Sequence, residues 1–249
     1  MGSTENNLAG CAKLPESGSL FEQCSWFYAL CREYLFRDQT TEISRSLFPS
    51  APPPGTNLLE LVCGPGFYAC KLAQIHPQIS AVGLDLSANL VERARDRAAR
   101  RSLGNCSFWR GDAQSLPELP FRVDAIILSR LLLIVPDKMA VLSEVYRVLR
   151  PGGRCFIAEP TSGFRTRFPL SCMWLLSRFS SIPAGKYREP QQADVMSGAE
   201  FTGLVNSQPW GSVEVVRDGW YQYAVCAKQA EEDQPSANLK ATDWNGPPR

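Results

Sequence analysis

Three carboxylates and a pair of glycines are spaced as a site for a nucleoside-bearing ligand would space them. In Glu60-Leu61-Val62-Cys63-Gly64-Pro65-Gly66-Phe67-Tyr68-Ala69, the two glycines let the backbone turn tightly and approach a ligand closely. The helix expected to follow would present free N–H groups and a positive dipole end to anionic ligand atoms. Gly64, Gly66 and Ala69 also satisfy the G-x-G-x-x-A form of the dinucleotide fingerprint, and Asp85 lies about where a ribose-binding acid belongs. These features leave a choice between a nicotinamide site and another adenosine site. Glu60 bears on that choice, because a carboxylate beside the loop suits an ammonium-bearing ligand and is out of place next to a pyrophosphate. Asp112, in Arg110-Gly111-Asp112-Ala113, supplies a further acid that can accept from an adenine amino group.

The elements that must hold these residues are legible in the hydrophobic pattern. Asn57 to Val62, Ala81 to Leu86, Cys106 to Arg110, Val123 to Ser129 and Arg154 to Glu159 read as five short strands. Helical segments separate them: Phe67 to Gln74, a helix capped by Ser87 with Leu90, Val91, Ala94 and Ala98 on one side, and Asp137 to Leu149, stopped by Pro151-Gly152-Gly153. Strands alternating with helices imply a parallel sheet with right-handed crossovers. Two late alternating segments, Val213 to Val216 and Trp220 to Ala227, add a closing antiparallel pair. The expected architecture is α/β, a doubly wound, mostly parallel seven-stranded sheet with an N-terminal helical cap. The expected boundaries are a flexible N-terminus over 1–19, the cap over 20–50, the main domain over 51–228 with a cap insertion near 161–199, and a disordered tail over 229–249.

Composition narrows the function classes. The 249 residues are 44% hydrophobic and 20% charged, enough to bury a sizeable core. A formal net charge of +1 gives no whole-chain electrostatic case for nucleic acid. The arginines at 93, 97, 100 and 101 are interleaved with Glu92 and Asp96 and read as a solvated helix face. The longest apolar run, Ala125 to Val135, falls short of a membrane span, and the N-terminus lacks a signal region, so a cytoplasmic protein is expected. Nine cysteines without a Cys-x-x-Cys pair read mostly as reduced, buried thiols, with no metal site.

In combination, Glu60 through Ala69, Asp85, Asp112 and the turn Leu149-Arg150-Pro151-Gly152-Gly153 resemble the class I S-adenosylmethionine-dependent methyltransferases. The resemblance covers roughly Asn57 to Pro160 and is nearest the ubiquinone and menaquinone biosynthesis C-methyltransferases and small-molecule O-methyltransferases. It implies S-adenosyl-L-methionine as cofactor and a site residue by residue. Gly64 and Gly66 would pass under the methionine portion and Glu60 would help hold its amino group. Asp85 would accept from both ribose hydroxyls, Leu86 would pack on adenine, and Asp112 with the Ala113 N–H would meet the adenine edge. Ser129 would contribute backbone near the methionine portion, with Arg130 beside it. One departure stands out: the family run is acid-x-Gly-x-Gly-x-Gly, and Val62 occupies the first glycine position.

The implied reaction is direct displacement of a methyl group onto an O, C or N atom of an apolar or aromatic small molecule. No general base is identified. His76 sits at the far end of the first crossover helix, and the segment Leu128-Ser129-Arg130-Leu131 lacks the Asn-Pro-Pro-aromatic motif of the family's DNA-adenine and glutamine methyltransferases, which disfavours nucleic acid as acceptor. Trp26, Tyr28, Phe164, Trp174 and Tyr187 are candidates for the acceptor pocket, although ordinary core packing would use the same residue types. The competing readings are an NAD-dependent oxidoreductase, a non-catalytic cofactor-binding partner protein, and an arsenic methyltransferase using Cys63 and Cys70. The sequence does not specify the oligomeric state.

Overall fold

The computed structural model describes residues 25–34, 36–161, 171–172 and 195–230. Helices α1 (Ser25–Tyr34) and α2 (Thr40–Leu47) precede the first strand. Five strands then alternate with helices: β1 (Asn57–Leu61), α3 (Phe67–Ile75), β2 (Ser80–Asp85), α4 (Ala88–Arg100), β3 (Cys106–Arg110), β4 (Val123–Ser129), α5 (Lys138–Val148) and β5 (Leu149–Pro160). A short helix α6 (Gly198–Val205) and the hairpin β6 (Ser212–Arg217) and β7 (Tyr221–Ala227) complete the described chain.

The seven strands form one sheet in the order β3-β2-β1-β4-β5-β7-β6. β1 to β5 pair in parallel, while β7 runs antiparallel to both β5 and β6. This is the doubly wound, mostly parallel α/β sheet with its closing antiparallel pair. Both faces are apolar because side chains alternate across a strand and helices cover each side. Leu59 and Leu61 of β1 join one core with Leu142 and Val145 of α5 and Phe201 of α6. Leu58 joins the other with Ile43 of α2, Leu72 of α3 and Val91 and Ala94 of α4.

Local signals explain most boundaries. Ser87 caps α4 by accepting the Leu90 N–H at 3.2 Å, and Asp137 caps α5 by accepting the Ala140 N–H at 2.9 Å. Leu149 differs from the sequence reading: it begins β5, opposite Val123, because Pro151 two residues on cannot continue a helix. Helix α6 was not foreseen, although Ser197 and Glu200 form a reciprocal capping box there. No helix among the described residues is long and apolar enough to cross a membrane.

Candidate functional site

The strand order reverses between β1 and β4, and the carboxyl ends of β1, β2, β3 and β4 open into one cleft beside that switch point. The space between its walls, with the open solvent at its mouth, is about 590 Å³. Asp85 and Leu86 come from the end of β2, Asp112 and Ala113 follow β3, Leu131 and Val135 follow β4, and Tyr28 reaches in from α1. The site thus brings together four of the residues placed on the cofactor by the sequence and one of those placed on the acceptor.

The glycine loop is built from unusual backbone. Gly64 and Gly66 have φ of 54° and 69°, and Val62 shares that left-handed region at 51°. A Cβ on Gly66 would lie 2.7 Å from Phe108 Cζ and 2.9 Å from Ala94 Cβ, so only glycine lets α4 and β3 pack against this turn. A Cβ on Gly64 would meet Tyr28 Cε1 at 3.1 Å. Tyr28 therefore lies directly against the loop. Val62 keeps the conformation its position requires even though a β-branched residue is strained there, at a cost of order 1–3 kcal/mol.

Asp85 is almost wholly buried and ties the site together. Its Oδ2 accepts the Gly64 N–H at 2.8 Å and its Oδ1 accepts the Ser87 N–H at 2.9 Å. Asp112 Oδ1 accepts the Gln114 N–H at 2.9 Å, which shapes the turn after β3. Glu60 is behind the loop: its Oε2 accepts the Ala69 N–H at 2.7 Å, and the Tyr68 N–H also favours its charged form. The side chain so complements the positive end of α3. Burial pushes the Glu60 carboxyl up to about 7 against those N–H groups and the nearby Arg32 charge.

Beyond Tyr28 lies a polar cluster. Burial pushes the Tyr68 phenol up, with Arg32 and the Ser129 hydroxyl among the groups that pull it down. Arg130, at φ 60°, stacks on Phe36 with its guanidinium carbon 3.9 Å from the ring centroid, and its Nη1 donates to the Tyr221 hydroxyl at 3.1 Å. Burial pushes the Tyr28 phenol up to about 12, with Arg130 and Arg32 pulling it down.

Trp26 is placed elsewhere. It is half-exposed, packed edge-on against Phe27, and does not line the cleft. On a helix, positions 26 and 28 lie about 200° apart, so the turn that aims Tyr28 inward aims Trp26 outward. Phe164, Trp174 and Tyr187 lie outside the described residues. His76 ends α3 away from the cleft, with Nε2 2.8 Å from Ser44 Oγ. Cys63 and Cys70 are buried free thiols, and no group of three or more His, Cys, Asp or Glu among the described residues could hold a metal ion.

Two features escaped the sequence reading. Arg32, one turn along α1 from Tyr28, is 6% exposed and stacks its guanidinium over Phe67 at 4.1 Å and Tyr68 at 4.3 Å. Nothing in a helix with Glu33 beside it marks this arginine as buried. Glu159, at the end of β5, is 1% exposed and accepts the Leu132 N–H at 2.7 Å, which anchors the segment after β4 that walls the cleft. Glu159 was within reach, since it is a further acid at a strand end, like Glu60 and Asp85.

Known proteins resemble this chain in sequence and in fold. A demethylmenaquinone methyltransferase of Listeria monocytogenes serotype 4a is 31% identical over 155 residues, 60% of this chain and 65% of the relative. A ubiquinone/menaquinone biosynthesis C-methyltransferase of Desulfotalea psychrophila is 32% identical over 152 residues, 60% of each chain. The matched segment thus spans 60 to 65% of the length of these relatives. Among solved structures, phosphoethanolamine N-methyltransferase 2 of Haemonchus contortus, in complex with S-adenosyl-L-methionine, superposes with a TM-score of 0.61 at 13% identity, covering 84% of this chain and 57% of that one, a likeness of fold. Residues 53–199, more than half of the chain and all of the strands that build the cleft, match the family model described as a methyltransferase domain, and the chain belongs to that family.

Proposed function

We propose that the protein is an S-adenosyl-L-methionine-dependent methyltransferase acting on an apolar or aromatic small molecule. The observation that carries this reading is the convergence of Asp85, Leu86, Asp112 and Ala113 on one cleft at the switch point, beside a glycine loop. The residues fit the cofactor: a Cβ would intrude at Gly64, apolar Leu86 and Leu90 offer a wall for a base, and two acids offer acceptors for hydroxyl and amino groups. The bound cofactor supplies a methyl group on a sulfonium centre, already activated toward a nucleophile.

The chain's own residues then bind, orient and exclude water. Asp85 holds the ribose hydroxyls while fixing Gly64, and Asp112 and the Ala113 N–H hold the adenine edge. Glu60 holds α3 and the loop in register rather than reaching the ligand with a free oxygen, and Ser129 and Arg130 border the methionine end. Tyr28, against Gly64, is the one acceptor-pocket candidate with a place in the cleft. Positioning of this kind supplies about 7–11 kcal/mol in well-oriented systems, so the reaction does not demand a general base unless the acceptor must lose a proton. The names of the relatives, which refer to quinone biosynthesis, support an aromatic acceptor. Helix α1, which carries Tyr28 to the cleft, is the proposed cover for that acceptor.

Calorimetric titration with S-adenosylhomocysteine and with NADH tests the reading. Binding of the first and not the second is expected; tight binding of NADH alone would establish the oxidoreductase alternative instead. Incubation with methyl-labelled cofactor and a metabolite extract then separates an enzyme from a non-catalytic cofactor-binding protein, for which no labelled product would form.

A further inference from the structure

Gln114 lines the cleft and bridges Asp112 to the start of α5. Its backbone N–H donates to Asp112 Oδ1 at 2.9 Å, and its side-chain Nε2 donates to the same oxygen at 3.4 Å. Its Oε1 accepts the N–H of Asp137, the N-cap residue of α5, at 3.3 Å. These neighbours fix which way the amide points, because a carboxylate oxygen only accepts and a backbone N–H only donates. Two residues on, Leu116 is tied to the same helix: its N–H donates to Glu144 Oε2 at 2.7 Å, and its carbonyl accepts from Arg147 Nη2 at 3.0 Å. The turn that carries Asp112 is therefore fastened to α5 by side chains from both sides.

Both donors from Gln114 fall on one oxygen of Asp112. The other, Oδ2, accepts no hydrogen bond from the described residues, and the side chain is half-buried on the cleft wall. The two bonds of the Gln114 amide are long, so each is weak alone. Their effect is on orientation: one N–H leaves a carboxylate free to turn about that contact, and a second donor on the same oxygen restricts the turn. Orientation matters because purines differ at this edge. Adenine offers an amino donor beside a ring-nitrogen acceptor, whereas hypoxanthine offers a carbonyl acceptor beside a ring N–H donor. Against a fixed carboxylate oxygen and the Ala113 N–H, the first pattern pairs and the second sets acceptor against acceptor and donor against donor.

We propose that Gln114 is a positioning residue that makes the cleft selective for adenine, bracing Asp112 against α5 so that Oδ2 stays turned to the base amino group. This rests on the methyltransferase reading, in which Asp112 meets adenine.

S-adenosylhomocysteine and its hypoxanthine counterpart, S-inosylhomocysteine, are titrated into the full chain by calorimetry, and the ratio of their affinities is the readout. Wild type is expected to prefer the adenine compound at least about thirtyfold. Asp112→Asn, whose amide can turn a donor to the base, is expected to lose most of that preference. Gln114→Glu keeps an acceptor for the Asp137 N–H and sets a like charge against Asp112, while Gln114→Met keeps the length and removes both contacts. Each is expected to cut the ratio at least about fivefold. A merely structural role for Gln114 would weaken both ligands together and leave the ratio unchanged. A wild-type ratio in either Gln114 variant, or in Asp112→Asn, overturns the proposal. Equal binding of the two compounds to wild type also overturns it and leaves the methyltransferase reading standing, whereas no binding of S-adenosylhomocysteine to wild type removes that reading and this one with it. Circular dichroism checks that each variant folds; should Gln114→Met not fold, Gln114→Ala takes its place.

Discussion

Asp85 accepts the Gly64 N–H at 2.8 Å, so the acid at the end of β2 and the first glycine of the loop after β1 are joined before any ligand arrives. A carboxylate accepts about four hydrogen bonds, so holding the loop does not by itself exhaust Asp85. One side chain can preorganise the loop and still meet ribose hydroxyls. Asp85→Ala is expected to weaken S-adenosylhomocysteine about ten- to a hundredfold, through lost charged hydrogen bonds and a loosened loop. Calorimetry measures it, and unchanged affinity would remove Asp85 from the site.

The valine at the first glycine position leads to an ordering of stabilities. Val62 has φ 51°, packs partly against the core, and lines the cleft. Val62→Ala removes packing and keeps the strain, whereas Val62→Gly removes packing and relieves the strain, offset by about 0.5–1 kcal/mol of chain entropy. Urea denaturation is expected to place the Gly variant within about 1 kcal/mol of wild type and above the Ala variant. An Ala variant more stable than the Gly variant would mean that the left-handed turn is not strained by its side chain.

Much of this architecture was legible because local and global signals agree. Ser87 and Asp137 stand where a cap must stand, and apolar runs such as Leu58-Leu59 and Ile126-Ile127 fill strands buried on both faces. The cofactor half of the site was legible for the same reason, since its residues sit at strand ends that periodicity locates. What stayed hidden depends on contacts between distant segments. Arg32 reads as a surface charge until α1 is laid across Phe67 and Tyr68. Helix α6 hid behind a short, weakly periodic run, although Ser197 and Glu200 announced its start.

That capping box gives a plain stability test. Ser197 Oγ accepts the Glu200 N–H at 3.2 Å while Glu200 Oε2 accepts the Ser197 N–H at 2.7 Å. Phe201 of the same helix is fully buried in the core. Ser197→Ala is expected to cost about 1 kcal/mol in chemical denaturation, and Ser197→Asp, which restores an acceptor, to recover most of it. A neutral Ala variant would show that packing of Phe201 alone sets the helix.

Glu159 and Gln222 face each other across β5 and β7, and each buries an oxygen, Oε2 and Oε1, that has no hydrogen-bond partner. Both are acceptors when Glu159 is ionised, and opposite residues of an antiparallel pair share a face, so a proton on Glu159 supplies the missing donor. Burial correspondingly pushes the Glu159 carboxyl up from 4.5 to about 7, against the Leu132 and Leu131 N–H groups and the charge of Arg130. The sign follows from proton counting. Between pH 4.5 and about 7 the folded state binds more protons than the unfolded one, so stability is greatest below that window, falls as pH rises through it, and is flat above. The full excursion is about 3 kcal/mol. Glu60 adds a fall in the same window, and His76, lowered by burial, adds a smaller rise toward 6.5. Subtracting the curve of Glu159→Gln from that of wild type cancels both. The variant, whose amide donates where the proton did, is expected to match wild type near pH 5 and exceed it at pH 8. A difference curve flat from pH 5 to 8 would place Glu159 in its ordinary ionised state and leave the two orphaned oxygens without this explanation.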